Sequence, residues 1–474
     1  MPLPQAPSSN GSDVATSAAS EPITVTPLGG PEIDAVGLLP VSVTGLPDDL
    51  WGDSSSADLA RLIRAEPVET LPAALSLLYT LLLAELDAPV DADRTGTVFL
   101  ARIDKLLDLG ALDQAQALLE RAGPDTPDLF RRWFDVALLT GTEDAACETL
   151  RTKADIAPTF AARIFCLARN GDWKTAALTL GTAEALGYVT KEEDALLARF
   201  LDPGLFEGDP PLPPPAQVTP LIFRMLEAIG EPLPTAPLPR AFAQADLRST
   251  AGWKAQIEAA ERLARTGAIA ETRLLAIYTA RRPAASGGVW DRVAAVQNFD
   301  AAIGARDGDA VARTLQPVWK AMKSVQLEVP FARLYADALA RLNLNGPSGA
   351  LAYRIGLLSP AYEEIARRHA ALDASEGFLS AAARGDMQTS NPDSALTRAI
   401  RNGFTQSEMP AAFTPLVADN RLGEALLKMP TLLRSGSEGD LQDLANALTL
   451  MRLVGLEDTA RQAALEVMLL GRRD

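Results

Sequence analysis

The chain has 474 residues, 47% of them hydrophobic but only 5% aromatic, and carries 61 acidic against 44 basic side chains, a formal net charge of −17. Its length and apolar content allow a large core or an extended solenoid, and the abundance of Ala and Leu, which lose little side-chain entropy in a helix, points to an all-α class. The basic residues are scattered, with isolated pairs such as Arg131-Arg132 and Arg281-Arg282, which argues against the clustered cationic surface that nucleic acid needs and against docking on anionic lipid.

Residues 1–46 are rich in Pro, Ser, Thr and Gly and poor in apolar side chains. They are expected to be a disordered tail, because little buried surface is available to offset chain entropy. Met1-Pro2-Leu3-Pro4 has neither the basic nor the apolar region of a signal peptide. The first cationic side chain is Arg61. Positive charge just after a signal resists translocation, so a basic-free start reads as the beginning of an exported, periplasmic chain whose signal is absent or removed. A cytoplasmic protein with an acidic tail is the alternative. Leu46 to Leu50 and Trp51 are the expected first anchor on the folded body.

An N-terminal helical lobe is expected over 47–201. Leu59, Leu62 and Ile63 keep the i, i+3, i+4 spacing of one helix face. Leu71 to Leu83 is too short for a membrane span and is interrupted by Pro72, Ser76 and Thr80, so it reads as a buried core helix. Phe99, Ile103, Leu106 and Leu107 form another apolar stripe, ending at Gly110, and glycine closes a helix because it accepts a left-handed conformation. Gly110, Gly141 and Gly171 recur at a period of about thirty residues, the signature of one supersecondary unit copied in tandem. Each is followed five residues later by alanine (Ala115, Ala146, Ala176) and nine residues later by leucine (Leu119, Leu150, Leu180).

Gly171-Asp172-Trp173-Lys174-Thr175-Ala176 resembles the inter-helix turn of a tetratricopeptide repeat. The resemblance covers about residues 95–200. It implies an α-solenoid of helical hairpins, in which the small residue lets two helices approach and the leucine fills the space to the next hairpin. It also implies a structural role for Trp173 and a small position at Ala183. The neighbouring copies depart from the pattern: Thr142 and Glu143 follow Gly141, Lys153 takes the second small position, and the period is shorter than the family's, about 34 residues.

Eleven prolines between Pro203 and Pro239 mark residues 202–245 as a Pro-rich linker, with one short helix available from Leu221 to Ile229. A semi-rigid spacer, a strap along a continuous solenoid and a peptide that recruits an SH3-type partner are the three readings of it. A second helical-repeat lobe follows over 246–474. Weaker echoes of the turn occur at Gly267-Ala268, Gly308-Asp309-Ala310, Gly385-Asp386 and Gly455 with Ala460, while Ser286-Gly287-Gly288 and Ser435-Gly436-Ser437 read as loops.

Chemistry-bearing motifs are scarce. His369 is the single histidine and is expected to sit exposed on a charged helix. No phosphate-binding glycine loop occurs, and no Ser-x-x-Lys opens a helix with supporting motifs. Helical platforms also occur in lytic transglycosylases, but their Glu-Ser pair and Gly-Leu-Met-Gln segment are missing. Glu192-Glu193-Asp194 and Glu363-Glu364 read as solvated faces. Cys147 and Cys166 are the only cysteines. The repeat would place them on adjacent helices, so a disulfide is geometrically allowed, and two buried reduced thiols are the alternative. The tryptophans are expected to pack between helices.

The sequence therefore leads to an all-α, two-lobed solenoid. Its expected role is non-enzymatic: a protein-binding scaffold with no cofactor or metal. Its Ala-rich, Arg-over-Lys composition resembles that of high-GC bacteria, where an exported solenoid would serve a cell-envelope assembly such as a flagellar or secretory one. A self-associating structural subunit is the alternative, and an enzyme on a helical superhelix the least favoured.

Overall fold

The computed structural model describes residues 32–471. Within that range the chain forms twenty-five α-helices and five short 3-10 helices, most joined by short turns, and no sheet; the one β-type contact is an isolated parallel bridge between Leu39 and Ala84. Three hairpins carry the repeat: Thr97–Leu109 with Leu112–Ala122, Pro127–Thr140 with Glu143–Thr152, and Phe160–Arg169 with Trp173–Ala185.

Each hairpin turns at its glycine. Gly110, Gly141 and Gly171 have φ of 79°, 80° and 85°, where a Cβ would clash with the backbone. The residue after each one donates back into the last turn of the first helix: Ala111 to Leu106, Thr142 to Ala137, Asp172 to Leu167, at 2.8 to 2.9 Å. These bonds close the helix end and reverse the chain. Ala115, Ala146 and Ala176 are wholly buried, which is what close approach of two helix backbones demands. Leu119, Leu150 and Leu180 are buried as well.

The same bond pattern recurs at Gly267, Gly385 and Gly455. It also recurs at Arg306, Gln326 and Asn420, which take the left-handed conformation without being glycine, so these turns carry no glycine mark in the sequence. The expected turn at Gly308 is displaced. Gly308 begins the helix Gly308–Lys323, capped by the Asp307 carboxylate, and the turn residue is Arg306. Ser435-Gly436-Ser437 is not a loop but part of the helix Met429–Glu438. Gly436 is needed there for contact, since a Cβ would lie 2.7 Å from that of Leu444.

The expected tail also needs correction. Residues 1–31 lie outside the described residues, but 33–39 and Leu46 are packed against the core. The Asp34 carboxylate accepts from the Phe99 amide at 2.6 Å, Leu38 and Leu39 amides donate to the Leu83 carbonyl, and Leu46 is buried. The clamp is Arg102, whose guanidinium donates to the carbonyls of Leu82, Ala84 and Val36 at 2.7 to 2.9 Å. Composition does not report a clamp supplied from elsewhere in the chain.

The hydrophobic packing does not divide at the proline strap, as a split into lobes 47–201 and 246–474 would require. One cluster joins Leu46–Leu139 to residues as far as Leu470, and a second gathers residues 130–226. The two ends of the described chain meet directly. The Gly423 amide donates to the Leu50 carbonyl at 3.0 Å, the Thr70 hydroxyl to the Pro430 carbonyl at 3.1 Å, and the Ala73 amide to the Glu466 carboxylate at 2.9 Å. Pro72–Leu83, the buried helix expected from sequence, lies at this seam against Met429–Glu438 and Glu457–Leu470.

Candidate protein-binding surface

The second cluster is built on the last two glycine-turned hairpins. Their facing helices Glu143–Thr152 and Phe160–Arg169 carry Cys147 and Cys166, which are joined as a disulfide with Cα atoms 4.8 Å apart. Both side chains are buried. The bridge ties one hairpin to the next across a short loop, and loop-closure entropy puts such a cross-link at about 2–3 kcal/mol. The double variant Cys147→Ala, Cys166→Ala is expected to lose about that much stability. Urea unfolding followed through Trp fluorescence, with an unchanged midpoint as the contrary result, checks this.

The strap is neither a spacer nor a free ligand peptide. Its helix Pro220–Ala228 packs on Pro127–Thr140 and Lys191–Leu201, burying Leu221, Met225 and Leu226 in the second cluster. Arg224 reaches the buried Glu143 carboxylate at 3.0 Å and Glu227 at 2.5 Å. Burial alone would raise the Glu227 carboxyl, but hydrogen bonds from Arg248 and Arg224 outweigh it and hold it below its usual value. Arg199 pairs with Glu231 at 3.2 Å and donates to the Pro210 carbonyl, fastening the strap at a second point. The face made by the first helices of these hairpins is thus covered by the chain itself.

The uncovered face belongs to Trp173–Ala185. This helix buries only Ala176, Leu180 and Ala183. Its opposite side carries Lys174, Leu178, Gly181, Thr182 and Ala185, all exposed, a surface with one charge where a solvated helix face would carry several. Leu178 is 73% exposed, and Leu186, Tyr188 and Leu205 are exposed as well. Trp173 is 49% exposed, which corrects the expectation of a packed core residue. Its ring stands 6.4 Å from that of Phe200, which stacks on Phe165 at 5.3 Å, so Trp173 caps an aromatic row instead of ending inside it. A hollow of about 450 Å³ lies under the strap, between Phe206, Ile229 and Glu231. The exposed charges between 172 and 209 are Asp172, Glu184, Glu192, Asp202, Glu207 and Asp209 against Lys174 and Lys191, an acidic excess along this segment. The glycine period located this hairpin but could not say which of its faces is bare, because that depends on where Lys191–Leu201 and the strap return.

His369 is not an exposed helical residue. It ends the helix Tyr362–Arg368, stacks on Tyr353 with ring centroids 3.6 Å apart, and bonds through Nε2 to the buried Glu376 carboxylate at 2.8 Å. Tyr353 in turn bonds Ser380 at 2.6 Å. The imidazole is a packing element between two helices, with no hydroxyl or thiol nucleophile bonded to it among the described residues. Within that range no group of His, Cys, Asp and Glu side chains gathers to hold a metal ion, and no helix is long and apolar enough to cross a membrane. No family model matches the sequence, no curated protein matches it, and no solved structure matches the fold.

Proposed function

We propose that the protein is a non-enzymatic scaffold, a degenerate tetratricopeptide-like solenoid that docks a partner protein on the outward face of Trp173–Ala185. The observation that carries this reading is the near-absence of charge on a fully exposed helix face centred on Leu178. Apolar patches on soluble proteins mark contact sites more often than chance. Charge selects the occupant. An acidic excess along this segment, on a chain of net charge −17, would repel a second copy and attract a partner whose apolar helix is flanked by Lys and Arg. Self-association is therefore the second reading, not the first.

The Cys147–Cys166 disulfide favours an oxidising compartment, since such bonds persist outside the reducing cytosol. It supports a periplasmic location, and with that a role in a cell-envelope assembly such as a flagellar or secretory one. A cytoplasmic location is the alternative.

A photo-crosslinker at position 178 is expected to capture a partner through an apolar helix with basic flanks. Leu178→Asp is expected to weaken that complex about tenfold or more without lowering thermal stability, because Leu178 is exposed. Crosslinks only between copies of this chain, with a dimer in light scattering, would transfer the proposal to self-association. Unchanged affinity of the Leu178→Asp variant would remove this face from the reading.

A further inference from the structure

A cleft of about 160 Å³ opens at the seam where the two ends of the chain meet. Glu69 and Arg240 stand on one side, Arg265 and Gln326 on another, and Arg434 and Ser437 on the third. A second hollow of about 120 Å³ shares Arg265 and Gln326 and adds Tyr79. Its arginines are poorly neutralised. Arg240 is only 9% exposed on its side chain. It donates from Nη2 to Glu69 at 2.9 Å, while its Nε lies buried without a partner among the described residues. Arg265 has no ion pair or side-chain hydrogen bond there, and its Nε too is buried and unsatisfied. Behind them Arg262 spends both Nη groups on carbonyls, Thr235 at 3.1 Å and Leu238 at 2.6 Å. The Tyr79 hydroxyl is a further buried polar group without a partner.

Three guanidinium groups therefore crowd together, and Glu69, the one carboxylate bonded to any of them among the described residues, is 76% exposed; Glu438 and Glu271 also line the two hollows but pair with Arg434 and Arg333. Burial acts first on two of them, and repulsion between neighbours adds to it. Burial, and then Arg240 and Arg265, push Arg262 below its usual value. Burial likewise depresses Arg240, with Glu69 opposing and Arg265 adding to the effect. Arg434 is already matched by Glu438 at 2.8 Å. In a chain with 61 carboxylates and 44 cations, a half-buried arginine cluster short of counter-charge is the reverse of what composition favours. An unsatisfied buried donor costs about 1–3 kcal/mol, and more when it is charged.

We propose that this cleft binds a compact oxyanion, a phosphate or carboxylate group carried by a small ligand, held by Arg240 and Arg265 with the Tyr79 hydroxyl as a further donor. Guanidinium presents paired N–H groups that match two oxygens of such an anion. The first hollow accommodates the anionic group against Arg240 and Arg265, and the second takes the few further atoms of the ligand that meet the Tyr79 hydroxyl. Glu69, at the solvent side, is the residue the ligand displaces from Arg240.

Titration calorimetry of the full chain with inorganic phosphate, against chloride at matched ionic strength, tests this. Saturable binding of one phosphate in the millimolar range or tighter is expected, weakened tenfold or more in Arg265→Gln. Arg240→Gln is expected to act in the same direction, and Glu69→Gln to strengthen binding. Acetate run in parallel separates the two sources: tighter acetate than phosphate assigns a carboxylate ligand, the reverse a phosphate. Absence of saturable heat, or equal affinity in wild type and Arg265→Gln, overturns the proposal. If Arg265→Gln fails to fold, crystals soaked in phosphate decide instead, and an anion bound elsewhere, or none, overturns it.

Discussion

Replacing Arg102 with methionine is expected to destabilise the fold by about 3–5 kcal/mol, the range for removing one partner from a buried charged network. Arg102 is 1% exposed. It carries the hydrogen bonds that hold two separate pieces of chain: the carbonyls of Leu82 and Ala84 at the end of Pro72–Leu83, and that of Val36 in the N-terminal segment. Asp34, also 1% exposed, faces it across the same site and lowers the cost of its charge. Burial pulls the guanidinium down to about 10, so it remains charged at neutral pH. Methionine fills a similar volume but leaves three buried carbonyls without a donor and Asp34 without a counter-charge. Arg102→Lys should fall between, since one ammonium group cannot span all three carbonyls. Urea unfolding followed by circular dichroism reads the effect. A methionine variant with the wild-type midpoint would show that the N-terminal segment is held by apolar packing alone.

Glu66→Gln is expected to stabilise the protein by up to about 3 kcal/mol at pH 8 and to leave it nearly unchanged at pH 4.5. Glu66 sits at the seam, immediately after the helix Ser56–Ala65, and accepts from the Thr431 hydroxyl at 3.1 Å. Burial raises its carboxyl from 4.5 to about 7, with Thr431 and Lys105 opposing only in part. The folded state therefore holds the Glu66 proton more tightly than the unfolded state does. Its contribution is fully present below about pH 4.5 and is lost as pH rises through about 7, at about 1.4 kcal/mol per unit of difference. Asp135, raised to about 6 chiefly by burial, acts in the same direction, so the whole protein should lose stability between pH 5 and 8 by more than Glu66 alone explains. The difference between wild type and Glu66→Gln, measured as urea midpoints at several pH values, isolates the Glu66 share. A difference independent of pH would mean that the carboxyl is solvated in the folded protein.

Much of the local architecture was legible in the chain. Helix class followed from Ala and Leu content, the hairpin turns from Gly110, Gly141 and Gly171, and the close contacts from the alanines five residues on, because each depends only on backbone conformation and residue size. The turns at Arg306, Gln326 and Asn420 were hidden because a left-handed residue that is not glycine leaves no compositional mark. The strap was legible as a run of prolines but not as a cover, since its helix Pro220–Ala228 is held by Arg224 on Glu143, some eighty positions earlier. The bare face around Leu178 was invisible for the same reason: in sequence its residues read as one more packed helix.

What the sequence determined by itself was the repeating unit, its turn chemistry and the absence of a long apolar span, all set by interactions within about thirty residues. The tertiary structure alone decided three further matters: that the two ends of the described chain pack into one core, that the strap lies on the hairpins, and that Arg240, Arg262 and Arg265 crowd together at one cleft. These depend on contacts between distant positions such as Glu69 and Arg240 or Thr70 and Pro430, and neither periodicity nor composition encodes which distant surfaces meet.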